Sequence, residues 1–134
     1  NPATGKMLNG EATYQVDLVD LCHALGVKNV VVADPFDQAK FEEVVKEEVA
    51  RDEVSVIISQ SPCALLKSYT PKGKCFVDPE KCRKCGKCLQ PGCPAIKKDE
   101  ATGKTIIDDT LCNGCGLCQQ LCPFEAISLK KRGE

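Results

Sequence analysis

A cysteine pattern that occurs twice constrains this chain more than any other feature. Eight of the 11 cysteines fall into two copies of one spacing, with Cys82, Cys85, Cys88 and Cys93 in the first copy and Cys112, Cys115, Cys118 and Cys122 in the second. The fourth cysteine of each copy is followed by proline. The first three positions repeat at an offset of 30 residues and the fourth at 29, which indicates an internal duplication.

The spacing Cys-x-x-Cys-x-x-Cys suits a cubane iron–sulfur cluster. Thiolates at every third residue allow one short loop to reach three corners of a [4Fe–4S] cluster. Gly86, Gly114 and Gly116 let such a loop turn tightly and bring its amide groups toward the sulfurs. The fourth thiolate must then come from another part of the chain.

The duplication predicts two clusters with crossed ligands, because the cysteine before proline ligates the other cluster in two-cluster ferredoxins. The first predicted ligand set is Cys82, Cys85, Cys88 and Cys122, and the second is Cys112, Cys115, Cys118 and Cys93. The first copy has four residues before its Cys-Pro, where the second has three. We expect Pro91 and Gly92 to absorb this extra residue in a turn.

Two other uses of cysteine fit the pattern less well. A zinc ribbon uses paired Cys-x-x-Cys knuckles, without a third cysteine and a Cys-Pro after each. A disulfide scaffold needs an oxidising compartment, and nothing in the sequence indicates export. We therefore favour iron–sulfur clusters over zinc and over disulfides.

Three cysteines lie outside the two ligand sets. We predict that Cys22, Cys63 and Cys75 are structural thiols, since a ligand role would exceed four per cluster. Cys75 has no cysteine counterpart in the second copy, because Thr105 occupies the position 30 residues later. The single histidine, His23, is predicted to have a surface or packing role.

Charge and cysteine content both change near residue 70. Residues 1–68 hold six basic and eleven acidic side chains, whereas residues 69–134 hold twelve basic and eight acidic ones. The polar, Pro- and Gly-containing stretch 67–74 is typical of a linker. We predict two domains, residues 1–70 and 71–134. The basic excess of the second would balance the negative clusters or, alternatively, face an acidic partner.

The first half is predicted to be α/β. Apolar spacing favours helices over residues 18–25 and 41–49. Apolar runs at 30–33 and 54–58 favour two parallel strands, the first buried on both faces. Asp34 and Cys63 follow the two strands, and we favour a turn aspartate and a buried thiol over ligand-binding roles. Two parallel strands do not form a stable sheet alone, so this half is expected to be the tail of a larger domain.

The second half is predicted to be a ferredoxin-like α+β module, which makes the chain α+β overall. Residues 95–98 and 104–107 favour a β-hairpin, and residues 76–77 and 127–129 an outer strand pair. Short helices are expected after Cys88 and Cys118. Because Phe, Tyr and Trp are only 4% of the chain, we expect no aromatic cover for the clusters, and hence oxygen sensitivity.

Charge and hydropathy exclude two classes of partner. The net charge of −1 argues against binding nucleic acid through overall charge. Apolar runs of six residues or fewer argue against a membrane span. The sequence opens at Asn1 rather than Met, so we expect a fragment or a processed chain. Because nothing in the sequence indicates export, we expect a cytoplasmic location.

Residues 75–129 resemble bacterial-type ferredoxins with two [4Fe–4S] clusters. Nearly the whole chain resembles the C-terminal end of the alpha subunit in the indolepyruvate:ferredoxin oxidoreductase family. That wider resemblance rests on residues 1–6, 21–27, 31–37 and 62–66. In this family a thiamine-diphosphate domain is followed directly by a two-cluster module, so residues 1–70 would be the tail of that domain.

The resemblance also implies a reaction. An aryl pyruvate is decarboxylated on thiamine diphosphate, the acyl group passes to coenzyme A, and electrons leave through the clusters to external ferredoxin, with a second (beta) subunit present. The thiamine diphosphate and Mg²⁺ ligands are expected upstream, so this stretch alone would not be catalytic and no catalytic residue is predicted. Two alternatives stay open, another 2-oxoacid as substrate and a non-catalytic electron carrier with a docking domain.

Overall fold

The computed structural model describes residues 4–66 and 68–130. Contacts between Cα atoms divide the chain into two compact units, with the division between Ser61 and Pro62. The assignment of residues 1–70 and 71–134 to two functional domains stays a prediction. No helix among the described residues is long and apolar enough to cross a membrane.

The first unit contains two helices and a two-stranded parallel sheet. Its elements in order are α1 (Leu18–Ala24), β1 (Asn29–Ala33), α2 (Gln38–Val49) and β2 (Ser55–Ser59). The two strands are parallel and in register from Asn29 opposite Ser55 to Ala33 opposite Ser59. The predicted strand–helix–strand unit is confirmed.

Both helices of this unit begin at an aspartate cap. The Asp17 carboxylate accepts hydrogen bonds from the backbone N–H groups of Val19 and Asp20 at 2.8 and 3.1 Å. Asp37 accepts one from Lys40 at the start of α2. Such caps satisfy backbone donors that have no partner within the helix.

The prediction that β1 is buried on both faces is wrong. Ala33 is buried, but the side chain of Val32 is 47% exposed. Leu18 and Leu21 of α1 are also about half exposed. Helices α1 and α2 contact the strands, and the described residues provide no further layer to cover them.

The second unit contains two separate antiparallel strand pairs. Strand β3 (Lys74–Val77) pairs with β6 (Ile127–Lys130), and β4 (Ile96–Lys98) pairs with β5 (Thr105–Ile107). A 3₁₀ turn covers Lys87–Leu89 and the short helix α3 covers Leu117–Gln120. The predicted hairpin and outer strand pair are confirmed, and the short helical turns begin one residue before the third cysteine of each motif.

The strand pairing exchanges segments between the two repeats. Asp78, which follows β3 in the first repeat, donates its N–H to the Ala126 carbonyl in the second at 2.7 Å. In the same way Asp108 donates to the Ala95 carbonyl at 2.8 Å. Each repeat therefore closes its sheet with a strand of the other.

Cysteine side chains make up much of the core of the second unit. Seven buried residues form one packed group, namely Cys75, Cys88, Ala95, Ile96, Cys112, Cys118 and Ile127. Four of these seven are cysteines, so the interior of this unit is lined by thiols where a larger domain would have aliphatic side chains.

Candidate functional site

Each cysteine loop turns at a left-handed glycine just before its third cysteine. Gly86 has φ 75° and its carbonyl accepts a hydrogen bond from Leu89 at 3.0 Å. Gly116 has φ 77° and accepts from Gln119 at 3.1 Å. Residues with a Cβ rarely adopt this backbone conformation, so glycine suits both positions.

A first cavity lies beside the first motif. Its thiol lining consists of Cys82, Cys85, Cys88 and Cys122. Val77, Thr105, Phe124 and Ile127 are among the other residues that line it. The expectation of no aromatic cover is therefore wrong at this cavity, because Phe124 follows the second Cys-Pro and lies against it.

A second cavity lies beside the second motif. Its thiol lining consists of Cys93, Cys112, Cys115, Cys118 and Cys75. Pro91, Ile96, Ile107 and Leu117 provide most of the apolar wall. This cavity therefore holds five thiols, whereas the first holds four.

The two cavities collect cysteines across the repeats. Each is lined by the three closely spaced cysteines of one motif and by the Cys-Pro cysteine of the other. Among the described residues, no three His, Cys, Asp or Glu side chains are arranged to hold a single metal ion. Four thiols around an apolar cavity are instead the donor set of a [4Fe–4S] cluster, so the residues present fit that group.

Backbone amides of one repeat reach cysteine sulfurs of the other. The Cys75 N–H donates to the Cys112 sulfur at 3.4 Å. At the matching position, the backbone N–H groups of Thr105 and then of Lys84 hold the pKa of Cys82 below the usual thiol range. Such N–H donors stabilise thiolate, which is the form that binds metal.

Sequence reasoning missed the placement of Cys75. Its side chain is 1% exposed and lies against Cys118 in the second cavity. A hydrogen bond with Cys118, together with burial, raises the pKa of Cys75, and the same bond lowers the pKa of Cys118.

Thr105 is the counterpart of Cys75 in the first cavity. It is 5% exposed, and its hydroxyl lies 3.4 Å from the Cys88 sulfur. The offset of 30 residues relates Cys75 to Thr105 and Cys118 to Cys88. The repeat offset is the sequence signal for this placement. In each cavity, the side chain at the Cys75 or Thr105 position lies with the third cysteine of the opposite repeat.

The remaining candidates are not among the residues that line either cavity. His23 bonds the Val27 carbonyl at 2.9 Å, which agrees with its predicted packing role. Asp34 accepts a hydrogen bond from the N–H of Phe36 at 2.9 Å, as expected for a turn aspartate. Cys22 is half-buried, and Cys63 is exposed, so the expectation of a buried thiol at Cys63 is wrong.

A larger cleft of about 530 Å³ lies in the first unit. It is lined by residues 15–19 of the α1 start, by Val32 and by residues 58–60. Its acidic side chain, Asp17, already caps α1. Its lining residues include no cysteine, so this cleft lacks the thiol donors that line the two smaller cavities.

Comparison with known proteins agrees with this site. Residues 105–128, which contain the second cysteine motif, match the family "4Fe-4S binding domain". The whole chain is 36% identical to indolepyruvate oxidoreductase subunit IorA of Thermococcus kodakarensis and 35% identical to that of Pyrococcus horikoshii, covering 22% of each. The IorA subunit of Archaeoglobus fulgidus is 35% identical over 71% of this chain and 16% of its own length.

The chain thus spans about a fifth of the length of the curated relatives that it matches. Over its whole length it is homologous to a segment of these subunits, and it contains a 4Fe-4S domain. The relatives named above are all indolepyruvate oxidoreductase subunits IorA, and the chain is similar to the segment of them that it covers.

Proposed function

We propose that each thiol-lined cavity binds one [4Fe–4S] cluster with crossed ligands. Cys82, Cys85, Cys88 and Cys122 would hold the first cluster, and Cys112, Cys115, Cys118 and Cys93 the second. The observation that carries this proposal is the lining of the two cavities, each of which takes its fourth cysteine from the opposite repeat. When bound, such a cluster accepts and releases one electron at a time.

The surrounding residues prepare the cavities for a negatively charged group. Amide N–H groups of Cys75 and Thr105 point at cysteine sulfurs, which favours thiolate over thiol. Arg83, Lys84 and Lys87 are exposed on the first loop and bring positive charge near the first cavity. Apolar side chains contribute to both walls, among them Val77 and Ile127 in the first cavity and Ile96 and Ile107 in the second.

We further propose that the chain is the electron-transfer part of an indolepyruvate (aryl pyruvate):ferredoxin oxidoreductase. The names of its relatives and the 4Fe-4S match support this role. Residues 1–70 would be the tail of a thiamine-diphosphate domain, whose cofactor and Mg²⁺ bind upstream. Coenzyme A, a second (beta) subunit and external ferredoxin would complete the reaction.

Metal and sulfide analysis tests the cluster proposal. The complete protein, purified without air, is expected to contain about eight iron atoms and as many inorganic sulfides per copy of this segment. A zinc content of one or two ions without sulfide would contradict it. Iron at half the expected level would contradict the count of two clusters.

Turnover tests the wider role. The complete enzyme is expected to reduce ferredoxin with indolepyruvate and coenzyme A, and faster than with pyruvate. A protein that contains both clusters but oxidises no 2-oxoacid would favour the electron-carrier alternative. Faster turnover of pyruvate would keep the reaction class and change the substrate.

A further inference from the structure

The two cavities differ in one thiol. Both have four cysteines in the predicted ligand positions, but the second has Cys75 as a fifth. In the first cavity, Thr105 occupies the position that is equivalent to Cys75 in the second cavity, since the two residues are related by the offset of 30. The chain therefore contains its own comparison between a thiol and a hydroxyl at equivalent positions.

We propose that Cys75 is a reserve ligand of the second cluster, able to replace Cys118. The proposal rests on the two-cluster assignment made above. Cys75 is 1% exposed and lines the second cavity together with Cys112 and Cys118. Its thiol thus already lies in the cavity that contains the thiol whose place it would take.

The strand that carries Cys75 fixes this side chain toward the cavity. Cys75 pairs with Leu129 in the β3–β6 sheet, and its N–H bonds the Cys112 sulfur at 3.4 Å. The Lys74 ammonium donates a hydrogen bond to the Cys112 carbonyl, which joins strand to loop. The sheet and these bonds to the loop therefore hold Cys75 at the wall of the cavity that Cys118 also lines.

The exchange is chemically balanced. When the Fe–S bond to Cys118 breaks, the departing Cys118 thiolate takes up a proton, the Cys75 thiol releases one, and the Cys75 thiolate forms the new Fe–S bond at the same iron. In Cys118→Ala the iron has no cysteine to lose, and the Cys75 proton passes to water. No oxidant or reductant is required. Thr105 does not provide the same substitute, because iron–sulfur clusters prefer soft thiolate ligands over a neutral hydroxyl.

Matched substitutions in the complete protein test this role. Cys118→Ala is expected to retain about eight iron atoms, whereas Cys88→Ala in the first cavity is expected to retain about four. The double variant Cys75→Ala/Cys118→Ala is expected to fall to about four as well. Electron paramagnetic resonance of the dithionite-reduced proteins gives a second readout, in which Cys118→Ala keeps two cluster signals.

A transplant gives a test that a misfolded variant cannot imitate. Thr105→Cys combined with Cys88→Ala is expected to restore the cluster that Cys88→Ala alone loses. If both Cys118→Ala and the transplant lose a cluster, the reserve role is overturned.

The other outcomes are equally decisive. Retention of iron in Cys75→Ala/Cys118→Ala would overturn the proposal, because a donor other than Cys75 would then hold the cluster. A three-iron signal in oxidised Cys118→Ala would overturn it too, because that iron would have found no ligand. If the unsubstituted protein contains no iron–sulfur clusters, the two-cluster function fails, and that result is distinct from a failure of Cys75 alone.

Discussion

The two cysteine loops share a backbone design but differ in charge and in local strain. Between Cys82 and Cys88 the first loop has Arg83, Lys84 and Lys87, all exposed. The second loop has no charged residue between Cys112 and Cys118. The same fold therefore gives its two cavities different electrostatic surroundings.

Backbone strain separates the loops further. Lys84 adopts φ 59° where Gly114, its counterpart in the second loop, adopts φ 74°. A Cβ on Gly114 would collide with the carbonyl oxygen of Gly73, whereas the first loop accommodates the Cβ of Lys84. Equal positions in a duplication can thus be under unequal steric constraint.

The largest expected effect comes from Gly114→Ala. The left-handed backbone costs about 1–2 kcal/mol for a residue with a Cβ, and the collision with Gly73 adds to that cost. We expect loss of the second cluster and a lower unfolding temperature, measured by iron content and thermal denaturation. Lys84→Gly is the matched control, and we expect it to change the free energy of unfolding by no more than about 1 kcal/mol. Equal effects of the two variants would break the comparison.

The next effect concerns oxygen. Phe124 lines the first cavity, and no aromatic side chain is among the residues that line the second. In Phe124→Ala we expect the first cluster to bleach faster in air, because a hydrophobic wall limits access to a metal site. The second cluster should bleach at its original rate, followed by visible absorption and electron paramagnetic resonance. Equal acceleration at both clusters would show that Phe124 does not act locally.

The charge difference predicts a difference in reduction potential. Positive charges favour the reduced, more negative form of a cluster, so replacing Arg83, Lys84 and Lys87 by Gln should lower the potential of the first cluster. Placing charges in the second loop with Asn113→Arg and Leu117→Lys should raise that of the second. Both shifts should shrink at high ionic strength, because salt screens exposed charges. The explanation would be contradicted if a redox titration showed that substitutions in one loop shift the reduction potential of the other loop's cluster.

The smallest expected effect is a pH dependence in the turn between β4 and β5. Hydrogen bonds from the Thr102 hydroxyl and then from backbone N–H groups lower the pKa of Asp99. A lowered pKa stabilises the folded state above the usual aspartate pKa, and this contribution is lost as the pH falls through the lowered value. Thr102→Val should weaken that dependence slightly in thermal unfolding measured between pH 7 and pH 3. The β3–β6 pair is the control. Its strands are not joined by this turn, so Thr102→Val should leave the pH dependence of its amide hydrogen exchange unchanged.

Local sequence features predicted much of the second unit. The strands β4 and β5 are flanked by turn residues, and Cys-x-x-Cys-x-x-Cys is a local spacing that one loop can satisfy. Two groups of four cysteines lie around the two cavities, and each group contains the cysteine before proline from the opposite repeat, as predicted. Ligation of clusters by these cysteines remains a prediction.

The missed features depend on long-range placement. Cys75 is predicted to be a structural thiol because a ninth ligand would exceed four per cluster, yet the difference between Cys75 and Thr105 is what distinguishes the two cavities. Phe124 follows Cys122 by two residues, so the crossed ligand set brings it near the first motif, but the sequence does not specify that its ring lines the cavity. Val32 lies in an apolar run, but burial depends on covering layers that the run does not specify.

Spectroscopy of Cys122→Ser tests the crossed arrangement most directly. Cys85→Ser and Cys115→Ser provide reference spectra, each lacking the cluster of its own loop. The crossed arrangement predicts that reduced Cys122→Ser resembles Cys85→Ser, because Cys122 lines the cavity of the first motif. A spectrum that resembles Cys115→Ser would show that each repeat holds its own cluster and would contradict the account.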